Sequence, residues 1–465
     1  MPSSASVPTF VLALLLGLLQ FGCGSPVLRD GDVVAPPIRG AELREAMVTT
    51  ANPHATAAGV AMLEAGGNAV DAAIAAHLVL GLVEPQSSGI GGGGFMLVHH
   101  RESGDTRVID GRESAPAGAR ADMFLDADGA PLSHRDRVQS GHSVGVPGAI
   151  ALYHLAHQTF GSLPWAQLFD PAIRLAEQGF EVSPRLNMLL AQIARYTNID
   201  ENPDTAAYFF PDGEPLPVGY LRTNPAYAAT LRGVAERGPQ AFYTGPVAEA
   251  IVARAAQAPL PGALTTDDLA AYQAVLRDPV CGPFRGYRVC SVPPPSSGVA
   301  VLQMLGLVEV FAPDGASNDA AGWAAFIDAM LLAYADRDHY VADADFVAVP
   351  TEALADPRYW TARADDRPTP GSAPRPGDPG AVLHGTPIID RWALDGTGEV
   401  PGTSHLSVID GAGNAVSFTA SVEFAFGSQR MAAGFILNNE LTDFASVPSI
   451  DGRPSSRLPA RASRQ

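Results

Sequence analysis

The sequence has little cysteine, little positive charge and no apolar run of membrane-spanning length. Three cysteines occur in 465 residues. None forms a Cys-x-x-Cys pair, so a thiolate metal site is not expected. Cys281 and Cys290 flank Phe284-Arg285-Gly286-Tyr287 in a strand-like stretch. In an oxidising compartment they could bridge a hairpin, and two buried free thiols fit the same spacing. Lys and Arg number 30 against 49 Asp and Glu, for a net charge of −19. That balance argues against nucleic acid or an anionic membrane surface as partner, since both demand clustered cations. It equally suits an acidic, solubilising surface. No internal repeat is evident.

The apolar run Phe10–Phe21 is too short to span a bilayer comfortably. It has the length of a signal-peptide core, and Gly22-Cys23-Gly24-Ser25 follows as a small-residue cleavage region. No Lys or Arg precedes the run, a departure from the usual pattern. Residues 1–24 are expected to be a signal peptide, and the protein to be exported to the periplasm or beyond. Cys23 fits a bacterial lipoprotein acceptor in part, so lipid anchoring at Cys23 is a second form of that expectation.

What is present is ample apolar material, 46% of the residues, enough for a large core. Length alone suggests about three domains. His54–Ala65 reads as a helix stopped by Gly66-Gly67. Asn68 can cap a second one carrying Val70, Ile74, Leu78 and Leu82. His77, on or near that apolar face, reads as a core or surface histidine rather than a ligand. The stretch from Glu84 to Phe95 contains Gly91-Gly92-Gly93-Gly94. No Gly-Lys-Ser/Thr follows, and a strand rather than a helix comes next, so a phosphate loop is not indicated. The glycines instead suggest close approach of two backbones. A hairpin, Phe95–His99 returning as Arg107–Asp110, ends at Arg112, where a strand end can hold a guanidinium toward a carboxylate. Helical patterns run from 148 to 179 with a break at Gly161–Pro164, and Thr265 or Thr266 caps a helix bearing Leu269 and Tyr272. A strand at Val289–Ser291 leads through Pro293-Pro294-Pro295-Ser296-Ser297-Gly298 into a helix from Val299 to Phe311. A further helix from about 321 to 340 carries Phe326, Met330 and Tyr334 on one face.

Residues 365–402 are rich in Pro and Gly and read as an exposed, mobile linker. Immediately after it the sequence alternates. Ser404, Leu406 and Val408 point one way, and Thr403, His405, Ser407 and Ile409 the other. The turn Asp410–Asn414 returns the chain as a strand from Ala415 to about Phe424. A hairpin symmetric about Ala412 pairs Thr403 with Ser421 and puts Glu423 on the same face as a diagonal neighbour. Cleavage between Gly402 and Thr403 would give Thr403 both a hydroxyl and a free α-amine. Such amines titrate near pH ~8, so an unprotonated fraction can take the hydroxyl proton. Ser421 can hydrogen-bond that nucleophile. Another strand, Gly434–Asn439, is followed by Glu440 and Asp443, which with Glu423 form a candidate acidic cluster for an ammonium group.

These segments resemble the γ-glutamyltransferase (γ-glutamyl transpeptidase) family of N-terminal-nucleophile hydrolases. The resemblance rests, in order, on Asn68-Ala69-Val70-Asp71-Ala72-Ala73, Glu84-Pro85 through Phe95, Asp110-Gly111-Arg112-Glu113, Pro293–Gly298, Thr403-Ser404-His405 with Asp410, and Leu437-Asn438-Asn439. It implies an α+β fold, a four-layer αββα sandwich. It implies self-cleavage of a precursor into a large subunit (25–402) and a small subunit (403–465). Thr403 would be the nucleophile and Ser421 its hydrogen-bonding neighbour. Arg112 would bind the α-carboxylate of a γ-glutamyl group, and Glu423, Glu440 and Asp443 its α-amine. The implied reaction is acyl transfer from glutathione or another γ-glutamyl amide to water, an amino acid or a peptide, with no metal and no cofactor.

The family continues through a Ser-Ser substrate-binding pair and a Gly-Gly pair whose amides form an oxyanion hole. Ser455-Ser456 stand where the first is sought, and whether they are that pair stays open. The Gly-Gly pair has no counterpart, so the chain is expected to be truncated, and its sandwich incomplete, at the C-terminus. Two other functions remain compatible: an acylase for glutaryl or poly-γ-glutamate amides, and an inactive pseudoenzyme or glutamate-binding protein.

Overall fold

The computed structural model describes residues 46–457, apart from 316, 370, 394–396 and 398–401. The chain divides into units 1–44 and 45–465, and all the described residues belong to the second. The expected signal segment, 1–24, lies outside the described residues.

Strand β1 (Met47–Thr49) leads into helix α1 (Pro53–Glu64). The Asn52 side chain accepts from His54 N–H at 3.0 Å, and proline occupies the first helical position, where its missing N–H costs nothing. Helix α2 (Ala69–Val83) begins with a reciprocal capping box between Asn68 and Asp71. Its alanine-rich surface is buried nearly all round, which marks it as a central core helix. His77 lies within it, buried against Tyr153 and Phe418. Burial lowers its pKa to about 3, so it stays neutral. Strands β2 (Gly93–His99) and β3 (Thr106–Gly111) and helix α3 (Ala149–Phe160) follow, then strand β4 (Val275–Arg277). The hairpin β5 (Val280–Phe284) and β6 (Tyr287–Ser291) precedes helices α4 (Gly298–Phe311), α5 (Ala320–Tyr340) and α6 (Pro357–Arg363). The last long strands are β7 (Thr403–Ile409) and β8 (Ala415–Ser421).

One antiparallel sheet has the order β1-β7-β8-β2-β3-β4. Its inner face (Met96, Val98, Leu406, Val408, Val416, Phe418) packs on α2 and α3 in the main core. A second core joins α4, α5 and α6 to the hairpin β5–β6. Phe95 and Leu97 of the large sheet and Cys290 and Ser291 of the hairpin line one cavity. The fold is thus α+β, with helices backing a six-stranded sheet on one side and a two-stranded sheet on the other. Cys281 and Cys290 oppose each other across β5–β6 and form a disulfide, which decides between the two readings of their spacing. No helix among the described residues is long and apolar enough to cross a membrane.

The β7–β8 register pairs Thr403 with Ser421, as the symmetry about Ala412 predicts. Asp410 locks the turn: it accepts N–H groups of Ala412 and Asn414 at 3.0 and 2.9 Å, and Ala69 N–H at the start of α2 at 3.0 Å. β8 stops at Ser421 rather than near Phe424. Glu423 has a left-handed φ of 74°, which a ladder cannot continue, and it therefore leaves the strand instead of sitting diagonally within it. The glycine run serves close approach. A Cβ on Gly91 would stand 1.9 Å from the Ile436 carbonyl oxygen, and one on Gly92 2.0 Å from that of Ser421.

The helix expected from about 321 to 340 forms, and one other expectation, the open linker, needs correction. The Phe326–Tyr334 face of α5 points outward, with Tyr334 49% exposed, while Ala325, Ala329, Leu332 and Asp336 face the core. The described part of the Pro/Gly-rich stretch is folded rather than an open tether. Asp378 caps a helix at Pro379–His384, and Gly377 N–H donates to buried Asp336 at 2.7 Å. Residues 394–396 and 398–401 lie outside the described residues.

Candidate active site

The start of β7, the end of β8, the end of β3 and the loop 438–443 converge. Thr403 is exposed at the first position of β7. Its Oγ1 donates to Ser421 Oγ at 3.4 Å. Ser421 Oγ donates to the Gly402 carbonyl oxygen at 2.9 Å and accepts from Glu423 N–H at 2.7 Å. The hydroxyl predicted to neighbour the nucleophile therefore also touches the peptide carbonyl preceding it. Gly402 itself has no room for a side chain, since a Cβ there would lie 2.2 Å from the Glu423 carbonyl oxygen.

Arg112 follows the end of β3 and is held by its backbone. Its N–H donates to Asp110 Oδ1 at 2.9 Å and its carbonyl accepts from Tyr272 at 2.7 Å. Asp110 is in turn fixed by Arg277 Nε at 2.8 Å. The guanidinium pairs with Glu440, and with Asp443 at 2.8 Å. The loop that carries the predicted acids is a 3-10 turn, Glu440–Asp443, with Glu440 buried. Glu423 is buried and accepts from Asn439. All the predicted site residues thus meet at one place.

Sequence reasoning assigned no role to three neighbours. Glu113, fully buried, adds a fourth carboxylate near Arg112. Asn438 donates to the carbonyls of Gly91 and Gly145 at 2.8 and 3.0 Å and accepts from Gly145 and Glu440 N–H at 2.9 and 3.1 Å. Asn439 orients Glu423 and accepts from Phe424 N–H at 2.9 Å. The signal was available: two asparagines and a glutamate follow an apolar strand directly, where polar groups are buried only when fully bonded.

Electrostatically the cluster sets four carboxyls, Glu440, Glu113, Asp443 and Glu423, around the single guanidinium of Arg112. Burial opposes the Arg112 charge, but Glu440, Glu113, Asp443 and Glu423 outweigh it and raise its pKa. The carboxyls respond the other way. Burial, with the negative neighbours, raises Glu113 and Glu423 well above the carboxylate range and Glu440 to about 7. An incoming ammonium would let them ionise. His405 is engaged elsewhere, by Thr419 at 2.8 Å and Ser407 at 3.1 Å. Ser456 lies 3.4 Å from the His339 carbonyl, and Ser455 accepts from Arg457 N–H at 3.2 Å. Neither serine lines the cavity that holds Thr403. Among the described residues no cluster of His, Cys, Asp or Glu is arranged to hold a metal.

The family model for gamma-glutamyltranspeptidase matches residues 55–463. The chain belongs to that family. It is 36% identical over 413 residues to the glutathione hydrolase proenzyme of Bacillus subtilis (strain 168), covering 87% of this chain and 69% of that one. It is 37% identical over 428 residues to the acylase ACY 1 proenzyme of Pseudomonas sp. (strain V22), covering 89% and 72%. Among solved structures, the cephalosporin acylase of Bacillus halodurans aligns with a TM-score of 0.73 at 28% identity, over 90% of this chain and 73% of that one. As a gamma-glutamyltranspeptidase-family chain it carries, at one cavity, a threonine hydroxyl beside a glycyl carbonyl and an arginine among carboxylates.

Proposed function

We propose that this protein is a self-cleaving γ-glutamyl acyl transferase and hydrolase that acts on glutathione and related γ-glutamyl amides. The observation that carries the reading is Ser421 Oγ, in contact with both Thr403 Oγ1 and the Gly402 carbonyl. In maturation Thr403 Oγ1 adds to the Gly402 carbonyl carbon. The Gly402–Thr403 C–N bond breaks, and the threonine nitrogen takes up a proton. Water then hydrolyses the ester, leaving a Gly402 carboxylate and a free Thr403 amine. In turnover the same hydroxyl, its proton taken by that amine, attacks the γ-amide carbonyl. The amine product departs, and water or an amino acid accepts the γ-glutamyl group. Arg112 binds the substrate α-carboxylate, and Glu423, Glu440 and Asp443 bind its ammonium, a second cation among the carboxyls. The two subunits come from one precursor, and no cofactor enters the chemistry. The run Phe10–Phe21 supports export, with Cys23 as a lipid-anchoring position.

The name of the acylase relative supports acylase activity, and with it a second reading in which the amides are those of glutaryl or poly-γ-glutamate groups. Comparing γ-glutamyl and glutaryl anilides separates the two, because only the first carries the ammonium. Maturation is read directly by electrophoresis. It is also read by counting amines, because all 30 basic residues are arginine. The uncleaved chain then has one primary amine, its own N-terminus, and cleavage creates a second at Thr403. A single 48.4 kDa chain with one reactive amine after long incubation overturns maturation. A cleaved chain that turns over neither anilide overturns the enzymatic reading.

A further inference from the structure

The cavity that contains Thr403, about 310 Å³ in volume, is bounded by two sheets. Phe95, Leu97, Ser417 and Thr419 of the six-stranded sheet line it, and so do Cys290 and Ser291 of β6. The pleat of the β5–β6 hairpin decides where its disulfide faces. Val280 and Val289 pack against the core of α4, α5 and α6, and a Cβ on Gly282 would stand 3.3 Å from Trp360 of α6. Successive side chains alternate, and Cys281 and Cys290 are direct partners in the register. The disulfide therefore lies on the other face of the ribbon, away from those helices. Cys290 lines the cavity, and Cys281 is not among its lining residues. Both cysteines are half-buried.

A disulfide so placed is open to exchange, which needs a thiolate that can reach one sulfur while the other leaves. Neither cysteine takes part in the proposed acyl transfer. The ribbon also has supports besides the bond. Arg285 and Gly286, with φ of 47° and 81°, make its two-residue turn, and Val280 and Val289 anchor its root.

We infer that Cys290 is a modification site for small thiols that enter this cavity, glutathione among them. The incoming thiolate sulfur bonds to Cys290 Sγ, and the Cys281–Cys290 bond breaks. Cys281 departs as a thiolate and takes up a proton. The incoming sulfur is oxidised and Cys281 is reduced, so no further reactant is needed. The product carries a tripeptide on the wall of the cavity that holds Thr403, and turnover stops until another thiol removes it. The inference rests on the γ-glutamyl reading only for bringing glutathione into the cavity.

Trypsin separates the two cysteines, because cleavage after Arg277, Arg285, Arg288 and Arg337 puts them on peptides 278–285 and 289–337. Wild-type protein purified without reductant is incubated with glutathione, quenched in acid, alkylated and digested. The adduct, of glutathione or of the cysteinylglycine thiol released from it, is expected on 289–337 and the alkyl group on 278–285. S-methylglutathione, which has no thiol, should give neither. Cys281→Ser and Cys290→Ser each keep one of the pair and are treated with oxidised glutathione. Cys281→Ser should be modified the faster. Its turnover of γ-glutamyl-4-nitroanilide should fall in proportion to the modified fraction and return with dithiothreitol, whereas modified Cys290→Ser should keep its turnover. Two free thiols in the untreated protein overturn the inference, as do a disulfide that glutathione leaves intact, an adduct chiefly on 278–285, and full turnover by modified Cys281→Ser. If the untreated wild type turns over no anilide, the γ-glutamyl reading fails, and the position of the adduct still decides the site.

Discussion

The Ser421 hydroxyl donates to the carbonyl oxygen of Gly402 at 2.9 Å while accepting from Thr403 at 3.4 Å. One small side chain thus touches both the bond that the proposed maturation breaks and the hydroxyl proposed to break it. Where charge develops on that oxygen, a fixed donor has its greatest effect, and losing one typically slows acyl transfer by about 10²–10³. Ser421→Ala should therefore slow conversion of the precursor by about that factor, and Ser421→Thr should retain most of the rate. Thr403→Ala should not convert at all. Band intensities over time on a denaturing gel check all three. A Ser421→Ala precursor that matures at the wild-type rate would remove Ser421 from the chemistry.

Gly402 should be as demanding as Thr403, for steric reasons. A methyl group there meets the Glu423 carbonyl oxygen at 2.2 Å, so Gly402→Ala must displace the carbonyl from Ser421. Maturation should slow at least as much as in Ser421→Ala, whereas Thr403→Ser, which keeps the hydroxyl, should still convert. Mass spectrometry of the products distinguishes cleavage at this bond from cleavage elsewhere.

Much of this geometry was legible because it follows from local rules. The period of two and the Asp410–Asn414 turn fixed the pairing of Thr403 with Ser421. Caps marked the starts of helices at Asn68 and Thr265. What escaped depends on contacts distant in sequence. Glu113 gives no sign in its neighbours that it turns inward beside Glu440. Helix α5 buries Ala325 and Ala329 because α4 lies close on that side, so which of its faces turns inward could not be read from its periodicity alone. The Pro/Gly composition around Asp378 suggested an open tether, but buried Asp336, more than forty positions earlier, binds Gly377.

The crowded carboxyls predict an unusual pH dependence. Glu440 has its folded pKa raised to about 7 from an unfolded value near ~4.3. The folded state therefore holds the proton more tightly, and its contribution to stability falls as pH rises through that interval. Glu440→Gln mimics the protonated form and lacks this loss. The variant should gain on the wild type by on the order of 3 kcal/mol between pH 5 and pH 8, at about 1.36 kcal/mol per pKa unit. Buried His77, with its pKa lowered to about 3, destabilises both proteins alike below its unfolded value, so it cancels in the difference. Urea unfolding at the two pH values measures it. A constant difference would mean that Glu440 is ionised throughout.

Asn438 should be among the costliest single positions to truncate. Its amide bonds both carbonyls of a close crossing, Gly91 at 2.8 Å and Gly145 at 3.0 Å, and accepts the N–H groups of Gly145 and Glu440. No water can replace it easily, because the residue is fully buried. Each stranded backbone group costs about 1–3 kcal/mol, and partial relaxation recovers some of that. Asn438→Ala should therefore lose about 3–5 kcal/mol in urea unfolding. Asn438→Asp keeps the acceptor and loses both donations, and it places a charge beside Glu440, so it should be no better. Because the same amide seats Glu440 against Arg112 through its N–H, the alanine variant should also weaken binding of free glutamate, measured well below its unfolding transition. A variant that lost stability but bound glutamate normally would confine Asn438 to holding the crossing of Gly91 and Gly145.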